Sequence, residues 1–416
     1  MTFPARLRPS GLNNQFSSEK LSFQQYIAEM KQLITQARLD LSPQNTARVL
    51  GANSPYEWLP NTSKGPQLST RPDSNVVNTD TTQKNSYKNG ILLIHGLFDS
   101  PYFLHEIARH FQEQGFVTKG ILLPGHGTVP GDLLTISSNE WMKAVRYGVN
   151  SFKGQVENLY LAGFSTGATL ATNAALEDEW IKGLLLLSPA IQLRTWIPFF
   201  AQQWTRWNTW FGYVCNRCQW YNIGADTDFA KYESYAFNAA FQVYKLTQQL
   251  AALCQQRTLD IPVFIAQSNN DEIVNPAAVI HFFSKLSHPK NKMLLYTTHQ
   301  ESTLDTRIEQ INSAIPKNNI LDFSHIGIPF SAGNPHYGKN GDSYEFQRLL
   351  MTAGKLVTQK NIGFSRLHHH KNNLVNNELH FGSLSLDNLK SYPMRRLSYN
   401  PYFDDMLTAM NIFLGL

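Results

Sequence analysis

A chain of 416 residues that is 42% apolar and 16% charged has the composition of a packed globule, which excludes a disulfide-built miniprotein and wholesale disorder. Its formal charge of +5, from 36 basic against 31 acidic residues, is too slight over this length to indicate nucleic acid, and three cysteines supply no framework of structural bridges. What stands out is an aromatic share of 12% that includes eight tryptophans.

Met1 to Ser10 has no apolar run of the length a signal peptide or anchor requires, and no later window offers the ~18 consecutive uncharged apolar residues of a membrane span. The expectation is a cytoplasmic or peripheral-membrane protein without a transmembrane segment. From Ser22 to Leu39, apolar residues at Phe23, Tyr26, Ile27, Met30, Leu33, Ile34 and Ala37 recur at three and four, and Ser22 with Gln25 reads as a capping box. This predicts an amphipathic helix within an N-terminal arm, residues 1–60. Residues 61–88 are dominated by Asn, Thr, Ser, Lys, Gln and Asp and read as a polar linker.

After Gly90, short apolar runs alternate with helical patterns: Ile91 to Ile94, a helix near Tyr102 to Gln114, Val117 to Leu123, a helix near Glu140 to Phe152, and Leu159 to Ala162. A helix from Thr166 to Leu176 and a strand from Gly183 to Leu187 continue the series. The alternation predicts an α/β fold, a mostly parallel sheet with helices on both faces. Residues 89–190 form its first part. An aromatic-rich helical insert, residues 191–258, separates it from a second part, residues 259–345, with strands at Ile261 to Ala266 and Lys292 to Thr297 and a helix at Ala277 to Leu286. Leu304, Ile308 and Ile311 predict a short helix between Gln300 and Lys317. Residues 346–416 are a C-terminal extension ending in a helix near Pro401 to Leu416.

Directly after the strand Leu159 to Ala162 stands Gly163-Phe164-Ser165-Thr166-Gly167, followed by the helix-forming Ala168 to Ala171. Strand, G-x-S-x-G, helix is the order of a nucleophile elbow. The turn exposes the Ser165 hydroxyl, and side chains at Gly163 or Gly167 would meet neighbouring backbone. It also puts the Thr166 N–H at a helix N-terminus, where it can stabilise an oxyanion. Upstream, His95-Gly96-Leu97-Phe98 follows another strand, making Leu97 N–H the second oxyanion donor and Phe98 its alternate. His95 reads as a loop imidazole, not a catalytic base.

Three motifs in one order, Ile94-His95-Gly96-Leu97, Leu123-Pro124-Gly125-His126-Gly127 and Gly163-Phe164-Ser165-Thr166-Gly167, resemble the α/β-hydrolases related to monoacylglycerol lipases, lysophospholipases and carboxylesterases. The resemblance is close from Gly90 to Pro189 and looser from Ile261 to His336. It implies an α/β-hydrolase fold and a structural role for His126; the N-terminal arm, the aromatic insert and the C-terminal extension lie outside it, and the insert itself reads as an inserted helical cap.

In this fold the acid and the base follow the serine in that order. Asp271, in Gln267-Ser268-Asn269-Asn270-Asp271-Glu272-Ile273-Val274 after a buried strand, is similar to the family's acid, with Glu272 the nearby substitute. For the base, His299 lies 28 residues after Asp271, the spacing of simple members. His325, in Asp322-Phe323-Ser324-His325-Ile326-Gly327, follows an apolar run and also resembles the family's His loop. His325 is favoured over His299, and His336 stands third. The expected catalytic set is therefore Ser165, Asp271 and His325, with Leu97 and Thr166 N–H groups as the oxyanion hole and no cofactor or metal.

The expected activity is that of a serine esterase: hydrolysis of acylglycerol, lysophospholipid or another lipid-like ester through an acyl-enzyme. A thioesterase or acyltransferase would use the same groups, and a catalytically retired hydrolase fold acting as a binding module is the alternative from another class. Between Ile191 and Tyr221 lie Trp196, Phe199, Phe200, Trp204, Trp207, Trp210, Phe211, Tyr213, Trp220 and Tyr221, several at helical spacing. Such a stripe serves ordinary packing or a lid that holds an acyl chain and makes transient contact with a membrane surface. Cys215 and Cys218, with no second pair for zinc, read as free thiols, and His368-His369-His370 as a solvated surface run.

Overall fold

The computed structural model describes residues 3–60, 87–194, 216–300, 302, 305–342, 350–352, 355–357, 379–392 and 394–416. The centre is an eight-stranded sheet in the order β1-β3-β2-β4-β5-β8-β9-β10. Its strands are β1 (Tyr56–Trp58), β2 (Tyr87–Ile94), β3 (Val117–Ile121), β4 (Val156–Phe164), β5 (Ile181–Leu187), β8 (Val263–Ser268), β9 (Lys292–Thr297) and β10 (Ile308–Asn312), while β6 (Trp220–Asn222) and β7 (Tyr235–Ala236) form a separate antiparallel pair. All neighbours in the large sheet are parallel except β1, which runs antiparallel to β3.

The alternation along each strand explains the two cores. Leu92, Ile94, Leu159, Leu161, Leu184 and Leu186 face one side, where they pack with residues of α1 (Phe23–Ala37), α4 (Ser138–Asn150), α5 (Thr166–Glu177) and α6 (Phe237–Gln256). Ile91, Leu93, Ala162, Phe164, Leu185 and Leu187 face the other, against α3 (His105–Glu113) and the C-terminal α9 (Phe403–Leu414). Strands buried on both faces read as continuous apolar runs because helices cover both sides of a parallel sheet.

The N-terminal helix α1 starts at the expected capping box: Ser22 Oγ accepts the Gln25 N–H, and Gln25 Oε1 accepts the Ser22 N–H at 3.0 Å. Its stripe is buried, and the Tyr26 hydroxyl both donates to Leu122 O at 3.0 Å and accepts the Leu122 N–H at 3.1 Å. That double bond fastens α1 beside the end of β3. The chain then passes through α2 (Thr46–Asn53) into β1, which pairs along the far side of β3.

The helix expected between Gln300 and Lys317 is instead the strand β10, paired parallel to β9 from Ile308↔Met293 to Asn312↔Thr297. Leu304 lies outside the described residues. The i,i+3 spacing of Ile308 and Ile311 suits a helix as well as a strand, but two β-branched residues beside the open edge of β9 favour pairing.

Of the insert, Trp196 through Tyr213 and Cys215 lie outside the described residues. Trp220 is buried, Tyr221 is exposed, and α6 packs Val243, Leu246 and Leu250 into the first core. Cys218 is disulfide-bonded, which corrects the expectation of a free thiol there; Cys254 is free. A count of cysteines carries no information about which of them the chain brings together.

The C-terminal extension holds an antiparallel pair, β11 (Leu350–Thr352) and β12 (Lys355–Val357), then β13 (His380–Gly382), α7 and α8 being Pro276–Ser284 and Leu386–Ser391, and β14 (Met394–Arg396), which runs parallel to β13. His368 to His370 lie outside the described residues. Among the described residues no helix is long and apolar enough to cross a membrane.

Candidate active site

Ser165 stands between β4 and α5 with φ 53° and ψ −116°, a backbone conformation that a non-glycine residue adopts only under strain. Both flanking glycines are needed by close approach. A Cβ on Gly163 would run into the backbone of Gly167 and Ala168, and one on Gly167 into the carbonyl oxygens of Ile94 and His95. The turn is held by Ser165 N–H donating to Leu187 O at 2.9 Å and by Ala190 N–H donating to Ser165 O at 3.2 Å. The neighbouring strand β5 thus braces the strained residue.

The imidazole of His325 lies beside it. His325 begins a short 3-10 turn, His325–Gly327, and its Nε2 is 3.0 Å from Ser165 Oγ while its Nδ1 is 2.7 Å from Asp271 Oδ2. Asp271 follows β8 and is fully buried. Its other oxygen, Oδ1, accepts the N–H groups of Ile273 at 2.8 Å and Val274 at 2.9 Å, and Gln267 Nε2 donates to Oδ2 at 3.2 Å. Because Nδ1 faces a carboxylate, it carries the ring proton, and Nε2 offers its lone pair to the serine hydroxyl. Burial works against protonating His325, but the Asp271 charge and hydrogen bond, with the charges of Glu272 and Asp99, outweigh it and hold the imidazole above its ordinary range.

The other histidines are engaged elsewhere. His299 is exposed beyond the end of β9, and among the described residues its ring is bonded to neither Ser165 nor Asp271. His336 sits between carboxylates, with Nε2 3.1 Å from Asp228 Oδ1 and Nδ1 2.7 Å from Asp342 Oδ1. His95 is a buried loop imidazole: Nδ1 meets Gly96 O at 2.8 Å and Nε2 accepts the Leu123 N–H at 3.0 Å, and burial pushes it well below its usual range. His126, brought down to about 4 by burial, turns Nδ1 toward Leu123 O and Pro124 O and accepts the Phe98 N–H on Nε2 at 3.1 Å.

That last bond distinguishes the two N–H groups expected as oxyanion donors in this loop. Phe98, at φ 68°, has its N–H committed to His126, whereas the Leu97 N–H has no hydrogen-bond partner among the described residues. Thr166 opens α5, so its N–H is one of those at a helix start with no partner inside the helix. A cavity of about 320 Å³ lies elsewhere, lined by residues that include Arg6, Arg38, Asp228, Lys231 and Tyr232 and by none of Ser165, Asp271 or His325.

Three further residues gather here. Glu272 Oε2 accepts the backbone N–H of His325 at 3.2 Å, and Arg396 Nε approaches Glu272 Oε1 at 3.1 Å. The carboxylate of Asp99 lies against Gly96 beside Ser165 Cβ, since a Cβ on Gly96 would touch both. Arg396 gave no signal in the sequence, being an ordinary basic residue more than a hundred positions past the acid. Asp99 did: it is an acidic residue two positions beyond Leu97, in the loop after β2, and its charge acts on His325.

Comparison with known proteins agrees on the class. The family described as serine aminopeptidase, S33 (Hydrolase_4), matches residues 85–300, a span that contains Ser165 and Asp271 and ends before His325. A thermostable monoacylglycerol lipase of Bacillus sp. (strain H-257) is 24% identical over 222 residues, 52% of this chain and 84% of that one. Among solved structures, the chain is similar to the monoacylglycerol lipase of Paleococcus ferrophilus (TM-score 0.41, 16% identity, 50% of this chain and 84% of that one). It is also similar to a soluble variant of monoglyceride lipase from Saccharomyces cerevisiae (TM-score 0.42, 15% identity, 62% of this chain and 85% of that one).

Proposed function

The chain belongs to the S33 serine hydrolase family, has the α/β-hydrolase fold and is a carboxylic-ester hydrolase; from that premise we propose that it cleaves acylglycerols, lysophospholipids or similar lipid-like esters through a Ser165–His325–Asp271 triad. The observation that carries the reading is the unbroken hydrogen-bonded line from Ser165 Oγ through the His325 ring to Asp271 Oδ2. His325 Nε2 takes the Ser165 proton as Oγ attacks the ester carbonyl. Asp271 holds the ring in the tautomer that can accept it and stabilises the imidazolium. The Leu97 and Thr166 N–H groups receive the oxyanion, the alcohol leaves with the proton from His325, and water then releases the acid.

The substrate class is supported by the Bacillus relative, named a monoacylglycerol lipase, and by the aromatic character of residues 191–258. In this reading that insert is a cap between nucleophile and acid whose rings hold the acyl chain. Ser165→Ala is expected to lower turnover of a p-nitrophenyl ester on the order of a millionfold and to abolish fluorophosphonate labelling. Normal hydrolysis and labelling by that variant would overturn the assignment.

A further inference from the structure

The turn that presents His325 is held mainly by chain from the C-terminal extension. Leu321 N–H donates to Phe381 O and Phe381 N–H to Asn319 O, both at 2.8 Å, so the run before His325 is stitched to β13. Asp322 accepts the N–H of Ser383, Ser324 Oγ donates to Leu397 O, and Asn400 N–H donates to Phe330 O at 2.8 Å on the far side of the turn. Gly327 packs against the backbone of Leu397 and Tyr399 closely enough that a Cβ would touch both. The same segment carries Arg396, at the end of β14, to the carboxylate of Glu272, which bonds the His325 backbone.

Glu272 occupies an awkward position unless that guanidinium is present. It is largely buried and next in sequence to Asp271, and burial with the Asp271 charge holds its carboxyl above the ordinary range even though Arg396, and less so His325, pull it down. A buried carboxylate without a counter-charge would take up a proton or draw in water, and either would alter its hold on the His325 N–H.

We infer that Glu272 and Arg396 are positioning residues for the base: the guanidinium neutralises the Glu272 carboxylate, which fixes the His325 backbone N–H and thereby where the imidazole stands between Ser165 and Asp271. The inference rests on the reading of those three residues as the triad. It assigns the C-terminal extension a part in the reaction, although the family match ends at residue 300. The charged groups facing His325 are Asp271 and Glu272 from the loop after β8, Asp99 from the loop after β2, and Arg396 behind Glu272.

The test is steady-state hydrolysis of p-nitrophenyl butyrate by the full chain carrying Glu272→Ala, Glu272→Gln, Arg396→Ala or Arg396→Lys, with Ser165→Ala alongside. A misplacement of the base by a fraction of an ångström is expected to lower kcat roughly tenfold to a hundredfold in the two alanine variants with KM little changed. The Gln and Lys variants, which keep the acceptor and the cation, are expected to recover to within about threefold of wild type in kcat. Folded alanine variants with wild-type kcat, or a loss confined to KM, overturn the inference. If an alanine variant does not fold, Glu272→Gln decides: with one carboxylate charge gone from around His325, the acid limb of its kcat/KM profile moves to lower pH, and an unmoved limb overturns the inference. Should Ser165→Ala remain active, it is the triad reading that fails; if it is inactive while Glu272→Ala is normal, only the positioning role fails.

Discussion

Asp271→Asn is the most diagnostic single change, because the structure fixes which way the new amide must point. The Oδ1 position accepts two backbone N–H groups, from Ile273 and Val274, and the Oδ2 position faces His325 Nδ1 at 2.7 Å. An amide turned with its oxygen toward His325 would thrust its NH2 against both backbone donors, leaving the buried Val274 N–H unpaired at about 1–3 kcal/mol and the part-buried Ile273 N–H unpaired as well. The reverse orientation keeps both backbone bonds and disturbs only the Gln267 side chain, whose Nε2 also donates to Ser268 O at 2.8 Å. The NH2 therefore faces Nδ1, which must become the acceptor. The ring proton then moves to Nε2 and points at Ser165, so the base cannot take the hydroxyl proton. In the serine-protease triad the equivalent change lowers kcat by ~10⁴, or about 5 kcal/mol of barrier, and a loss of that order is expected here. The assay is kcat for p-nitrophenyl butyrate near pH 8, with thermal unfolding as the control for folding. A folded Asp271→Asn enzyme that lost less than tenfold would refute the tautomer argument.

The pH profile of the wild type follows from the same imidazole. His325 must be neutral to act as base, and its affinity for the proton is raised above the ordinary value of 6.5, so kcat/KM should fall on acidification with a midpoint above 6.5; a midpoint below it contradicts the charge arrangement. Its effect on stability runs the other way: the folded chain holds this proton more tightly than the unfolded one, so the contribution is full below about 6.5 and is lost as pH rises through the folded value. Gly167→Ala would drive a Cβ into the carbonyl oxygens of Ile94 and His95 and is expected to yield no folded, soluble protein; a well-folded active variant, seen by circular dichroism and ester turnover, would show that the elbow can relax. Tyr26→Phe strips both partners from the buried backbone of Leu122 and should cost about 1–3 kcal/mol in urea unfolding, whereas an unchanged midpoint would mean that the hydroxyl does not fasten α1.

What the sequence reveals and what it hides divide along the range of the interactions involved. The strands β2, β3, β4, β5, β8 and β9 and the turn at Ser165 are written locally: apolar runs of strand length, glycines where backbones touch, and helix formers immediately after. The strand β1 is three residues long and exists because β3 offers it an edge, and β10 exists because β9 does. No local pattern reports an available edge. The insertion of β10 also explains why spacing misleads about the base. His299 lies where a base turn would follow if the sheet ended at β9, but the sheet takes one more parallel strand, and the turn whose imidazole reaches Ser165 comes only after it.

The pair Asp271-Glu272 carries the same lesson at the scale of two residues. In the sequence Asp271 is the preferred acid and Glu272 its nearby substitute, and nothing local says where either carboxylate points. In the folded chain both reach His325, by different routes. Asp271 meets the ring at Nδ1, and Glu272 meets the backbone N–H of the same residue. What separates them is the third dimension: Asp271 is held by the amides of its own turn, Ile273 and Val274, while Glu272 is answered by Arg396 from a strand 124 positions away. A group held by its own turn can be found by motif. One whose charge is matched from a distant segment can be found only after the chain has folded.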